Sequence, residues 1–157
     1  MEKTTHLTWQ VSRWFNAGKA PSPQQLRGKV VVVHAFQMLC PGCVLHGTPQ
    51  ARRIHKTFSG QDVAVIGLHT VFENHEVMTP EALAVFISEF SLDFPIAVDA
   101  PAPGQCIPKT MTIYGLHGTP SLLLFDCEGR LAWHHFGQVE DMVVGAQIGD
   151  LLGGKVG

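Results

Sequence analysis

The chain has 157 residues, of which 45% are hydrophobic and 15% charged, and its formal net charge is −2. This length and apolar content fit one globular domain and exclude an intrinsically disordered chain. The weakly acidic balance provides no basic surface for nucleic acid, and no run of about 18 apolar residues is present to span a membrane. The N-terminal residues carry no apolar run typical of a secretory signal. We therefore expect a cytoplasmic location, with a periplasmic one only if a signal has been removed.

Two strongly apolar segments predict central β-strands. Val30–Phe36 reads V-V-V-V-H-A-F and 62–68 reads D-V-A-V-I-G-L, as expected of strands that are covered on both faces. From 41 to about 58 the pattern becomes helical. Pro49 is expected to kink or restart that helix, because it lacks an N–H and its ring crowds the preceding turn.

The later segments continue an alternation of strands and helices. Thr79 is a predicted N-cap, with Pro80 at the first position of a second helix. The remaining predicted elements are a short strand at 94–98, a helical turn at 110–114, a hairpin of 121–125 and 130–133, and a helix at 139–152. For this last helix we predict an apolar face of Val139, Met142, Val143 and Ala146. The order predicts a mixed sheet with helices on both faces.

Residues 1–28 have the least regular pattern. Their aromatic and apolar residues, which include Trp9 and Trp14, fit a short strand or an amphipathic turn. We favour a lid of apolar side chains over one edge of the sheet. The chain is therefore divided into an N-terminal extension, 1–28, packed on a single domain, 29–157.

The motif Cys40-Pro41-Gly42-Cys43 lies where a predicted buried strand ends and a helix begins. Free N–H groups and the macrodipole at a helix N-terminus favour an anion, so a Cys40 thiolate is expected to be stabilised there. Pro41 costs nothing at this position, because its missing N–H would be unpaired anyway. Attack by Cys40 on a substrate disulfide would give a mixed disulfide that Cys43, one turn further on, can resolve. The alternative is a structural pair: two buried small residues or a static disulfide.

A second motif, Gly118-Thr119-Pro120, directly precedes the predicted strand 121–125. A proline that enters a buried strand is confined to its first residue or to an edge. A cis Thr119–Pro120 bond would turn the chain sharply and leave the Thr119 backbone free to pair with an extended peptide.

Together these motifs resemble those of the thioredoxin superfamily, in particular its TlpA/ResA-like and AhpC/TSA-type redoxin proteins. The similarity also includes A-V-I-G-L-H, Y-G-L-H-G-T-P and L-L-L-F-D-C-E-G-R-L, and extends over roughly residues 26–152. The resemblance implies a thioredoxin-like α/β fold with a central mixed sheet flanked by helices, and a helical insertion near 71–94. It also implies thiol–disulfide exchange as the activity, with Pro120 as the cis-proline. Thr119, Pro120, Pro41 and Gly42 are then the expected substrate-binding residues.

The sequence departs from the family where relatives carry a tryptophan or carboxylates. Leu39 replaces a Trp before the first cysteine, His34 stands in place of a buried Asp, and His46 in place of a Glu. Histidine can move protons, with an ordinary pKa of about 6.5. His46 or His34 is therefore a candidate for proton transfer beside Cys40 and Cys43. The alternative for both is a structural, hydrogen-bonded histidine.

A peroxiredoxin-like thiol peroxidase is one alternative function. Peroxiredoxins carry P-x-x-x-T-x-x-C, and the threonine of that pattern orients the peroxide. Counted back from Cys40, the proline and threonine positions hold Val33 and Gln37. Counted back from Cys43, they hold Phe36 and Cys40. Neither register supplies the threonine, so dithiol exchange is the favoured interpretation.

A metal-binding module similar to the Sco-type copper carriers is the other alternative. Cys40, Cys43 and His46 form C-x-x-C-x-x-H, to which His34 or His117 could add a ligand. The Sco-type proteins use a longer cysteine spacing. We expect no metal and no cofactor other than the redox-active Cys40–Cys43 disulfide.

The expected partners are protein or small-molecule disulfides and a reductant or oxidant that recycles the pair. Cys106 and Cys127 are isolated, one in a predicted loop and the other in the hairpin turn. Neither is assigned a role. Cys106 could resolve a sulfenic acid only if its loop folds over Cys40.

Overall fold

A six-stranded mixed sheet organises the computed structural model, which describes residues 4–153. Its strands are β1 (Val11–Phe15), β2 (Val30–Phe36), β3 (Val63–His69), β4 (Ile96–Asp99), β5 (Ser121–Phe125) and β6 (Leu131–Phe136). Their order is β1-β4-β3-β2-β5-β6. The pairs β2–β3 and β3–β4 are parallel, and the other three are antiparallel. Every residue of β2 is buried, as its apolar sequence requires.

Four α-helices flank the sheet: α1 (Thr48–Thr57), α2 (Pro80–Glu89), α3 (Lys109–Tyr114) and α4 (Asp141–Gly153). The N-cap of α2 is confirmed, because the Thr79 hydroxyl accepts a hydrogen bond from the Ala82 N–H at 3.2 Å. A π-helical segment, Cys43–Gly47, precedes α1, so the predicted interruption near Pro49 is confirmed as well. Within residues 4–153 no helix has the length and apolar content needed to cross a membrane.

The sheet separates two apolar cores. Val32 and Phe36 of β2 face the core that α1, α2 and α4 cover, whereas Val31 and Val33 face the core that α3 covers. Successive residues of a strand point to opposite faces, so one strand supplies both cores. The predicted arrangement with helices on both faces is confirmed.

The N-terminal segment forms an edge strand of the sheet. β1 pairs antiparallel with β4, and the rings of Trp9 and Trp14 meet edge to face at 5.5 Å against the α3 core. Of the two patterns considered for this segment, the structure forms the strand. The predicted N-terminal extension begins with residues 1–3, and the predicted domain ends with residues 154–157. Both stretches lie outside the described range.

The predicted buried face of α4 is wrong. Met142 is 88% exposed and Val143 45% exposed, whereas Val144 and Ile148 are buried against the sheet. Apolar residues occur all around this helix, so helical spacing alone fits more than one face. The observed buried face consists of Val144, Ile148 and residues 151–152. Over two turns its side chains are bulkier than those of the predicted face.

Candidate active site

Cys40 and Cys43 meet at the start of the helix that follows β2. Cys40 is partly exposed and Cys43 is fully buried, and both thiols are free. The Cys43 N–H donates to Cys40 Sγ at 3.4 Å, and Cys40 Sγ lies 3.5 Å from the Thr119 carbonyl oxygen. The outer sulfur therefore lies between a helix N-terminal amide and the Thr119 loop. In this arrangement Cys40 is accessible for attack on a substrate, and Cys43 lies buried beneath it.

Pro41, Gly42 and Pro120 form the surface beside Cys40. Pro41 is exposed at the first turn, and the Thr119–Pro120 peptide bond is cis. A Cβ on Gly42 would lie 3.2 Å from Pro120 Cδ, so the glycine permits this close approach. The structure thus brings together all four predicted substrate-binding residues around the cysteine pair.

Cys43 is held in its protonated form by its surroundings. Burial, together with the neighbouring Cys40, raises the pKa of its thiol to about 12. Hydrogen bonds with the Gln37 backbone and the Thr119 hydroxyl lower the pKa and partly oppose this effect. Resolution by Cys43 therefore needs a group that accepts the proton of this thiol, or one that stabilises the negative charge left on the buried sulfur.

The two candidate histidines lie on one side of the cysteine pair. His34 is buried on β2, with Nε2 3.0 Å from the Thr48 hydroxyl, and burial lowers its pKa to about 3. His46 is exposed in the π-helical segment, and both histidines line a polar cavity of about 340 Å³ beside Pro120. In the described range neither histidine forms a hydrogen bond with a cysteine. Their part in proton transfer stays a prediction.

Gln37 is a site residue that the sequence analysis did not select. Its side chain is buried between the cysteine loop and two neighbouring loops, and its Nε2 lies 3.4 Å from Thr119 Oγ1. The sequence signal was a polar residue directly after a strongly apolar strand. That signal is weak because most such residues are solvated.

His69, at the end of β3, holds the cysteine loop from its other side. Its Nε2 accepts a hydrogen bond from the Met38 N–H at 3.1 Å, and burial lowers the pKa of the imidazole to about 4. The neutral ring is the form that can accept this bond. His69 thus anchors the loop that carries Cys40 to the end of β3, whereas Gln37 joins this loop to the neighbouring loops.

The remaining predicted chemistry does not converge on the site. Cys106 is exposed in its loop, where its carbonyl oxygen lies 3.0 Å from His75 Nε2, and Cys127 is partly exposed in the hairpin turn. Across residues 4–153, no three His, Cys, Asp or Glu side chains are grouped closely enough to hold a metal ion. The set Cys40, Cys43 and His46 is therefore not assembled as a metal centre.

Gly47 lies at a tight contact, and its replacement by alanine is expected to destabilise the fold by about 1–3 kcal/mol. An added Cβ would lie 2.8 Å from both His34 Cε1 and Pro120 Cβ, neither of which can move freely. Urea unfolding of Gly47→Ala measures the loss.

Gly145→Ala is the matched control for that substitution. Gly145 lies inside α4 and an added Cβ would meet nothing within 4 Å. Alanine should therefore stabilise the helix by about 0.5–1 kcal/mol. If Gly47→Ala is as stable as the wild type, or more stable, the atoms around Gly47 move apart without a loss of stability.

The fold matches those of solved structures. A thiol-disulfide isomerase from Corynebacterium glutamicum is 56% identical with a TM-score of 0.91, over 94% of this chain and 95% of that one. The chain belongs to the thioredoxin-like superfamily. The crystal structure of a thioredoxin-like superfamily protein is 48% identical with a TM-score of 0.93, over 96% of this chain and 97% of that one.

More distantly similar solved structures share the fold. The solution structure of a thioredoxin-like protein in the oxidised form is 18% identical with a TM-score of 0.77, over 96% of this chain and 95% of that one. No family model matches the chain, and neither does any curated protein. The thioredoxin-like fold with cysteines at a helix start, expected from the sequence, is confirmed.

Proposed function

We propose that this protein is a thiol–disulfide oxidoreductase that works by dithiol exchange, with Cys40 as the nucleophile and Cys43 as the resolving thiol. Membership of the thioredoxin-like superfamily supports a redox enzyme in general, and the similarity to a thiol-disulfide isomerase supports this chemistry. The observation that carries the proposal is the pair itself. The partly exposed sulfur of Cys40 lies at a helix start. It accepts a hydrogen bond, 3.4 Å long, from the N–H of the buried Cys43.

The exchange proceeds in two balanced steps. The Cys40 thiolate attacks one sulfur of a substrate disulfide, which forms a mixed disulfide and releases the other sulfur as a thiol after it takes up a proton. The Cys43 thiolate then attacks Cys40 sulfur, which forms the Cys40–Cys43 disulfide and releases the second substrate thiol. The substrate is reduced and the protein oxidised by two electrons, and the reverse sequence oxidises a dithiol.

A protein disulfide is the substrate that the surface beside Cys40 favours. The partly exposed Thr119–Pro120 segment faces Cys40, and Leu39, directly before Cys40, is 53% exposed and offers an apolar side chain to a protein substrate. Reduction of insulin disulfides with dithiothreitol as the recycling reductant tests the proposal.

Hydrogen peroxide should be consumed slowly, because Gln37 replaces the threonine that orients a peroxide. Rapid peroxide turnover that survives Cys40→Ser would contradict this function.

Alkylation should distinguish the two thiols before any substrate is added. Burial raises the pKa of Cys43 to about 12, so its thiolate fraction at neutral pH is far below that of an ordinary cysteine. Brief iodoacetamide treatment followed by mass mapping should label Cys40 and spare Cys43. The exposed Cys106 serves as the internal control for reagent activity. Preferential labelling of Cys43 would reverse the two roles.

His46 is the better placed histidine to take the proton that Cys43 loses. It is exposed and can pass a proton to water, whereas the lowered pKa of His34 makes that ring a poor acceptor. His46→Ala should slow resolution by about 10²-fold and leave the first attack by Cys40 unchanged. The rate of resolution in His34→Ala is measured for comparison. Resolution at the wild-type rate in both variants and in the double variant would make the histidines structural.

A further inference from the structure

Gln37 is a buried amide whose hydrogen bonds fix its orientation. Its Oε1 accepts from the Phe72 N–H at 3.2 Å, and because a backbone N–H only donates, the amide oxygen must face Phe72. Its Nε2 then lies 3.3 Å from Glu73 Oε1 and 3.4 Å from Thr119 Oγ1. An amide nitrogen has two protons and accepts nothing, so Gln37 donates to both.

The orientation of Gln37 determines where the Thr119 hydroxyl can donate. A hydroxyl has one proton, and Gln37 already occupies an acceptor position on this oxygen. The proton of Thr119 is therefore directed to another partner, and this hydroxyl is close enough to the Cys43 thiol to lower its pKa. The backbone oxygen of Thr119 lies 3.5 Å from Cys40 Sγ, so this residue lies beside both cysteines.

We propose that Gln37 is a positioning residue for resolution, because it holds the Thr119 hydroxyl with its proton toward Cys43 and so stabilises the thiolate formed there. The proposal rests on the dithiol exchange described above. In that step Cys43 gives up its proton, which His46 passes on to solvent, and its sulfur attacks Cys40. The Cys40–Cys43 bond forms, the bond from Cys40 to the substrate sulfur breaks, and the substrate thiolate takes up a proton.

Glu73 completes the arrangement at the surface. Its carboxylate is exposed and accepts the second proton of the Gln37 amide. The amide is thereby held at three points: Phe72, Glu73 and Thr119. A rotation of the amide that placed its oxygen against Thr119 would lose the first two contacts and draw the hydroxyl proton away from Cys43.

A single turnover with 5,5′-dithiobis(2-nitrobenzoate) tests the proposal, because it releases two coloured thiolates in sequence. The first release reports attack by Cys40 and the second reports resolution by Cys43. The protein used is the full chain with Cys106→Ser and Cys127→Ser, which removes the two cysteines outside the site.

Gln37→Leu and Thr119→Val should each slow the second release by about tenfold near neutral pH, the loss expected for one hydrogen bond to a charged group. The pH midpoint of the second release should move upward in both variants. In Gln37→Leu the first release should keep its rate, which also shows that this variant is folded. Thr119→Ser keeps the hydroxyl and should keep the rate. Gln37→Glu should be slow despite its similar size, because its carboxylate accepts the Thr119 proton.

The double variant separates positioning from a direct effect. If Gln37 acts through the hydroxyl, Gln37→Leu should slow resolution no further in a Thr119→Val background. Gln50→Leu is the matched control, since this buried amide bonds to Val139 and Asp141 and has no hydrogen bond to Thr119 or a cysteine; both releases should be unchanged.

Three results would overturn the positioning role: a wild-type second release in Gln37→Leu, a multiplied loss in the double variant, or a Thr119→Ser variant as slow as Thr119→Val. The proposed function fails in a different assay. A wild-type protein that releases both thiolates but does not reduce protein disulfides would contradict the proposed substrate class and leave the role of Gln37 intact.

Discussion

Cys40→Ser is expected to abolish the reduction of protein disulfides, and Cys43→Ser is expected to stop it after one step. Serine is not nucleophilic toward a disulfide under these conditions, because the thiolate is the attacking species. Without Cys40 no mixed disulfide forms, since Cys43 is fully buried beneath it. Without Cys43 the first attack still occurs at the partly exposed Cys40, and the mixed disulfide persists.

The measurement combines insulin reduction with mass spectrometry of the protein after acid quenching. Cys40→Ser should show activity at the background rate and no covalent adduct, whereas Cys43→Ser should accumulate one substrate chain per protein. Cys106→Ser and Cys127→Ser are the matched controls, because their thiols lie in the loop and the hairpin turn and should leave turnover unchanged. A stable adduct on Cys43 in the Cys40→Ser protein would contradict the assigned order of attack.

The folded state is expected to lose about 4 kcal/mol of stability between about pH 7 and about pH 5, about 2 kcal/mol from each of two buried histidines. The pKa of His34 is about 3 and that of His69 about 4 in the fold, against 6.5 for the ordinary group. The unfolded chain therefore binds protons across this range and the folded chain does not. The stabilisation is complete above pH 6.5 and falls as the pH drops toward the folded values.

Urea unfolding at the two pH values, in the wild type and in His34→Gln and His69→Gln, measures this effect. Each variant lacks one titrating ring and should lose about half of the pH dependence. The comparison is needed because the partly buried His134 adds a change of the same sign. Asp99, whose pKa is raised by burial, acts in the opposite direction at lower pH. Unfolding free energies that are equal at both pH values would show that both rings are protonated without cost in the folded state.

The acid effect also bears on the cysteine loop. His69 accepts the Met38 N–H only as a neutral ring, so protonation would remove this anchor of the loop that carries Cys40. His34 bonds to Thr48 at the start of α1, beneath the π-helical segment. Stability and site geometry are therefore linked through the same buried rings.

The local pattern of the sequence was sufficient for the elements that frame the site. The run Val30–Phe36 required a buried strand, and Thr79-Pro80 required a helix start, because burial and capping depend on neighbouring residues. The two cysteines at a strand–helix junction and Gly118-Thr119-Pro120 before a strand are local patterns as well. Their similarity to the thioredoxin superfamily correctly predicted the fold.

Only the tertiary structure decided the contacts between segments distant in sequence. Gln37 reaches Thr119 and Glu73 across 82 and 36 positions, and β1 pairs with β4 across the chain. The buried face of α4 was also decided at this level, since Val144 and Ile148 meet the sheet and Met142 does not. The physical reason is that periodicity defines which residues share a face of an element, whereas the partner of that face depends on how all the elements pack. A buried amide such as Gln37 acquires its chemistry from the groups that packing places around it.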